Sequence, residues 1–105
     1  MNTTTQTIDL GSLEEIPPGQ GRCYIVGDTE IAVFRQRDGC LFAVDNRCPH
    51  RQGPLADGIM GGGRVICPFH AHCFDLGTGA GSEPGECVKV YRVGVRNGNV
   101  VLQLS

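Results

Sequence analysis

The sequence predicts an all-β fold in which two antiparallel strand regions flank a glycine-rich insert. Three observations carry this expectation. Short apolar or alternating runs punctuated by turn dipeptides occupy both ends of the chain, no stretch fits a helical period, and the middle gathers Gly, Cys and His. The 105 residues include 16 Gly and 6 Pro, about a fifth of the chain, where average usage gives roughly 12%. Each glycine inside a helix costs about 1 kcal/mol relative to alanine, which argues against a helical bundle or coiled coil. The 40% hydrophobic content is enough for a packed core and argues against wholesale disorder. The length fits a single domain over residues 1–105, or one small subunit of something larger.

Taken in order, residues 1–22 hold a short apolar patch around Leu10 to Ile16, then the breaker Pro17-Pro18-Gly19. They read as a first strand or turn followed by a loop. Cys23-Tyr24-Ile25-Val26 is an apolar run bounded by Gly27-Asp28, Ile31 to Phe34 is a second, and Cys40 to Val44 a third. Asp38-Gly39 between the last two is a hairpin signal, because glycine tolerates the positive φ of tight turns. At the other end Val88 to Val95 alternates, Asn97-Gly98 turns the chain, and Val100 to Leu104 returns. Cys23, Cys40 and Cys87 sit in these strand patterns and read as small core hydrophobes. The insert, at about residues 45–87, holds nine glycines, all three histidines and four of the six cysteines. Gly61-Gly62-Gly63 within it reads as a hairpin tip, since neither Lys nor a helix signal follows to make a phosphate loop. Loops held by a rigid scaffold are where a site is placed.

Charge excludes other classes. Nine basic and 11 acidic residues are intermixed, for a net charge of −2. No basic field suggests nucleic acid, and no polybasic tract suggests an anionic membrane. No apolar run approaches the length of about 18 residues that a membrane span needs. Met1 to Leu10 is polar and lacks the cationic start and apolar run of a signal peptide. The expectation is a soluble cytoplasmic protein, where six cysteines point to metal or redox chemistry rather than to a disulfide framework.

The insert contains Cys48-Pro49-His50 and, after sixteen intervening residues, Cys67-Pro68-Phe69-His70. Each half offers one thiolate and one imidazole on a short loop stiffened by proline. Two sulfur and two nitrogen ligands suit a tetrahedral zinc ion or a [2Fe-2S] cluster with two Cys on one iron and two His on the other. Zinc loops usually pair Cys with Cys or His with His. Mixed loops are accounted for by a binuclear cluster, each loop giving its Cys to one iron and its His to the other. A zinc-stabilised interaction module is the second reading. No Ser/His/Asp or paired-carboxylate arrangement marks an independent catalytic site.

Cys48-Pro49-His50-Arg51, Cys67-Pro68-Phe69-His70, Phe74-Asp75 and Thr78-Gly79 together resemble the Rieske [2Fe-2S] family, over residues 23–104. The resemblance implies a [2Fe-2S] cluster with Cys48 and Cys67 on one iron and His50 and His70 on the other. It implies an antiparallel β-sandwich base carrying a small cluster-binding subdomain. Respiratory members carry an extra Cys in each ligand loop. Here those regions read Arg51-Gln52-Gly53 and Phe69, so no such disulfide is implied. Those members also place a hydroxyl donor where this chain has His72, which implies a lower potential within the Rieske range of about −150 to +300 mV. Within the soluble Rieske-type ferredoxins, Cys48 to Leu55, Gly58-Ile59 and Gly85-Glu86-Cys87-Val88 resemble the small subunits of assimilatory NAD(P)H nitrite reductases. The ferredoxin components of aromatic-ring dioxygenase systems come second. Both imply redox partner proteins, a reductase or a terminal oxidoreductase. By the same resemblance Ser82-Glu83-Pro84-Gly85 matches a proline loop that covers the cluster, a simple turn being the other reading, and Arg47, Arg51 and Arg64 are expected to rim the cluster end, either steering an acidic partner or lying as solvated surface. His72 reads as a surface histidine and Cys73 as structural.

Oxidation raises the iron charge and so lowers the pKa of the imidazole nitrogens that face away from the metal. The reduction potential is therefore expected to fall as pH rises through those values. A potential that stays flat from about pH 6 to about pH 11 in voltammetry contradicts this.

Overall fold

A computed structural model describes residues 6–47, 54–67, 73–82 and 85–104. Nine strands are present among them: β1 (Gln6–Ser12), β2 (Gln20–Val26), β3 (Thr29–Arg35), β4 (Leu41–Asp45), β5 (Ile59–Gly61), β6 (Arg64–Ile66), β7 (Cys73–Asp75), β8 (Val90–Arg96) and β9 (Asn99–Leu104). Two single 3-10 turns, Leu13–Glu15 and Leu55–Asp57, are the remaining regular elements. No helix among the described residues is long and apolar enough to cross a membrane. Every strand pairing is antiparallel. Six strands form one sheet in the order β1-β9-β8-β4-β3-β2, and β5-β6-β7 form a second.

Strand β3 explains why the large sheet folds over. Side chains alternate across a strand, yet Ile31, Ala32, Val33 and Phe34 are all fully buried. Ile31 and Val33 join Ala43, Val100, Leu102 and Ile16 in one apolar cluster. Ala32 and Phe34 join Val44, Leu55, Val65, Cys67 and Phe74 in another. A strand apolar on both faces needs cover on both. The β1-β9-β8 half of the sheet closes over the first face, with Leu10 of β1 and Tyr24 of β2, from opposite sheet edges, packing on the same cluster. That is the sandwich base. The small sheet and the Leu55–Asp57 turn cover the second face. The expected sandwich carrying a small subdomain is thus the observed architecture.

The first strand is anchored by more than its ladder to β9. The Leu13 N–H donates to the Gly98 carbonyl at 2.9 Å. The Arg35 guanidinium donates to the carbonyls of Leu13 and Ile16, at 3.4 and 3.0 Å, and so ties the short turn to β3.

Three cysteines depart from expectation. Cys23, Cys40 and Cys87 are exposed rather than core residues. Cys23 lies on the edge strand β2, where Tyr24 and Val26 are the side chains that pack inward. Cys40 belongs to a turn, its N–H held by Asp38 Oδ1 and its carbonyl by the Gln36 N–H. Cys87 makes an isolated bridge to Ala80, and its neighbour Val88 takes the buried place.

Truncating Phe34 to Ala is expected to cost about 3–5 kcal/mol, because it empties space between the two sheets. Ile25→Ala, at a side chain 75% exposed, should stay within about 0.5 kcal/mol. Urea unfolding of both variants checks the contrast.

Candidate metal centre

The segment that carries the expected ligands Cys48 and His50 leaves the end of β4, and the described chain resumes at Pro54. The stem of this segment is locked by Asn46, the one buried polar or charged residue among those described, 2% exposed. Burying an amide is unfavourable unless its donors and acceptor are satisfied. Asn46 Oδ1 accepts from the Ala56 N–H at 2.8 Å, and Nδ2 donates to Glu30 Oε1 at 3.2 Å. Its main chain does the same: the Asn46 N–H donates to the Glu30 carbonyl, and its own carbonyl accepts from the Leu55 N–H at 2.6 Å. Arg47 and Pro54 then form a β-bridge that closes the base of the loop. Glu30 also takes the Arg47 guanidinium as an ion-pair partner, so Arg47 is engaged in the stem. These donors, Asn46 first and Arg47 second, hold the Glu30 carboxyl below the usual carboxylate range.

The segment that carries the expected ligands Cys67 and His70 is flanked by the antiparallel pair β6 and β7, the second stem. Arg64 opposes Asp75, Val65 opposes Phe74, and Ile66 opposes Cys73. Cys67 follows directly and is 1% exposed. It shares an apolar cluster with Leu55, Val65, Phe74 and Val88. Both stems therefore root in the same core, which sets the start of each loop relative to the other.

Ser82 is tied to the second stem. The Ser82 N–H donates to the Cys73 carbonyl at 2.8 Å, and the Cys73 N–H donates to Ser82 Oγ at 3.1 Å. The Phe74-Asp75 and Thr78-Gly79 pairs that marked the sequence now have a physical role. Asp75 Oδ1 accepts from the Thr78 and Gly77 N–H groups, at 3.0 and 2.8 Å, and these bonds hold its carboxyl below the ordinary range. The chain then turns through Gly79 at φ +83°, where a Cβ would collide with the Val88 carbonyl. Only glycine lets the chain pass this close to the approach to β8.

Of the expected ligands, Cys67 is described, and Cys48, His50 and His70 lie outside the described residues, as do Arg51, His72, Glu83 and Pro84. Cys67 is a buried free thiol at the mouth of the hairpin. Cys73 is half-buried in β7, and Arg64 is exposed on β6. A soft sulfur donor desolvated by Leu55, Val65 and Phe74 fits an iron–sulfur cluster, whose ligands are thiolates shielded from water. Asn46 and Ser82, which brace the loop stems, were not singled out as bracing residues from sequence. A buried Asn two residues before a C-x-H loop carries a signal only once its partners at Glu30 and Ala56 are known.

Two loops of the C-x-H and C-x-x-H kind on one β scaffold define a class of iron–sulfur electron-transfer proteins. Residues 6–103 match the Rieske-like [2Fe-2S] domain, and the chain belongs to that family. Its cofactor is accordingly a Rieske-type [2Fe-2S] cluster. The chain is 32% identical over 104 residues to the ferredoxin component of the naphthalene 1,2-dioxygenase/salicylate 5-hydroxylase systems of a Ralstonia species, covering 97% of this chain and 99% of that protein. It superposes on the proposed NADH-dependent nitrite reductase small subunit of Mycobacterium tuberculosis with a TM-score of 0.90 at 26% identity, covering 98% of each chain. It is also 44% identical over 61 residues to the oxygenase component of dicamba O-demethylase from Stenotrophomonas maltophilia, matching 58% of this chain and spanning 16% of that one.

Asn46→Ala leaves the Ala56 N–H without its acceptor and should cost about 1–3 kcal/mol in urea unfolding. Glu30 gives a pH test. Its folded pKa is depressed, so its contribution is complete above the ordinary value of 4.5 and is lost as pH falls through the folded value. Wild-type protein should lose more thermal stability than Glu30→Gln between neutral pH and about pH 3, as read by circular dichroism.

Proposed function

We propose that this chain is a one-electron carrier whose cluster is held by Cys48 and Cys67 on one iron and His50 and His70 on the other. We further propose that it serves as the small subunit of an NAD(P)H-dependent nitrite reductase in the cytoplasm, acting as one domain over residues 1–105. The observation that carries the site is the common core beneath the two loop stems, with Cys67 buried in it beside Leu55 and Phe74. The subunit role is supported by the likeness to the mycobacterial protein along 98% of both chains. When bound, such a cluster takes up and releases one electron, and two neutral imidazoles in place of thiolates make it easier to reduce than a four-Cys cluster. The protein contributes rigidity and dryness. Asn46 holds the first loop at its base, the β6–β7 ladder holds the second, and the apolar cluster keeps water from Cys67.

A second reading, the ferredoxin component of an aromatic-ring dioxygenase system, is favoured by the 32% identity to the Ralstonia protein over nearly its full length. Both roles require a reductase or an oxidoreductase as partner.

Purified protein is expected to be red-brown, to contain two irons and two sulfides per chain, and to show an EPR signal when reduced. Cys67→Ser and His70→Ala should each abolish the colour. A colourless wild type holding one zinc overturns the proposal. Co-purification separates the two roles: a nitrite-reducing partner supports the first, and an aromatic-ring oxygenase or its reductase supports the second.

A further inference from the structure

Four large hydrophobic side chains are exposed among the described residues: Ile25, Ile59, Ile66 and Val95. Isolated exposed hydrophobics are ordinary, whereas contiguous ones mark contact surfaces. Ile59 and Ile66 are contiguous, lying directly opposite each other across β5 and β6. Cys73 continues the row, directly opposite Ile66 on β7. The alternation of the strand sets their direction. Val65 and Cys67 are buried, so Ile66 between them points outward, 39% exposed, and Ile59 is 75% exposed. With strands about 4.8 Å apart, the row is about 10 Å long. It runs along the outer face of the small sheet, at the edge nearest the second loop.

The next row on the same face is charged. Arg64 opposes Asp75; Asp75 Oδ1 accepts from the Thr78 and Gly77 N–H groups, and the Arg64 charge acts on the same carboxylate across the strands. Among the described residues Arg64 forms no ion pair. An apolar strip with an exposed guanidinium at its margin has the make-up of a protein contact, apolar at the centre and charged at the rim. Its place also matters. Ile66 is joined by one peptide bond to Cys67, so a redox centre seated over Ile66 has a short covalent path to a proposed cluster ligand.

We propose that the outer face of the small sheet, centred on Ile59 and Ile66, docks an electron-exchange protein that brings an apolar patch against the row and a carboxylate against Arg64. Complementary charge at the margin selects an acidic partner and speeds its approach. This rests on the electron-carrier reading of the site.

The test uses holo-protein in stopped-flow, with reduced flavodoxin as an acidic one-electron protein donor and dithionite as a small donor. Ile59→Thr/Ile66→Thr keeps β-branched residues in the strands and should slow transfer from flavodoxin about tenfold. Arg64→Glu should slow it similarly at low salt and converge on wild type at high salt. Arg92→Glu on β8, away from this face, should match wild type. Spectrum, potential and dithionite rate should be unchanged in all three. Flavodoxin rates within about twofold of wild type for both face variants overturn the docking face. A wild type that has no cluster to reduce overturns instead the electron-carrier reading.

Discussion

The buried side chain of Asn46 is the interaction on which the site depends. One residue joins three segments distant in sequence: Glu30 at the start of β3, Asn46 itself at the end of β4, and Leu55 and Ala56 after the first loop. A loop that must present ligands needs ends that do not drift, and side chain and main chain together hold both. The arrangement is costly to break because the Asn46 amide and the Ala56 N–H are buried, and an orphaned buried N–H loses more than a hydrogen bond contributes when made. Glu30 extends the network outward by pairing with Arg47, the residue immediately before Cys48.

Around that clamp the fold is a problem of covering β3. Its two buried faces call for two layers, and the chain supplies one from its ends and one from its middle. The terminal strands β1, β8 and β9 close the base. The middle segment, with its own three-stranded sheet, closes the other side and carries the second loop. Cys67 sits where these layers meet, in the cluster that includes Phe34, Leu55 and Phe74. The same packing that stabilises the chain therefore keeps water from a proposed ligand, so stability and electron transfer draw on one core.

Much of this was readable in advance, and the reasons differ by element. The β3–β4 and β8–β9 hairpins were visible because Asp38-Gly39 and Asn97-Gly98 mark turns between apolar runs, and Asn97 does adopt a positive φ. Strands β5, β6 and β7 have three residues each, too few for alternation to rise above a glycine-rich background, although the tip at Gly61-Gly62-Gly63 was recognised. Cys23, Cys40 and Cys87 misled because burial depends on which strand lies at an edge and where a turn ends, and neither is a local property. Asn46 gave no local sign, since its role is set by residues sixteen positions before it and ten after.

By itself the sequence determined the chemistry: two mixed Cys and His loops, an all-β scaffold and the family to which they belong. Such features are encoded in short-range patterns of residue type, turn and spacing. Only the tertiary structure decided which side chains brace the loops, which cysteines face solvent, and that Ile59 and Ile66 form one exposed row. Those outcomes follow from pairing register and from the closing of one sheet over another. They depend on contacts between residues far apart in the chain, which local sequence does not specify.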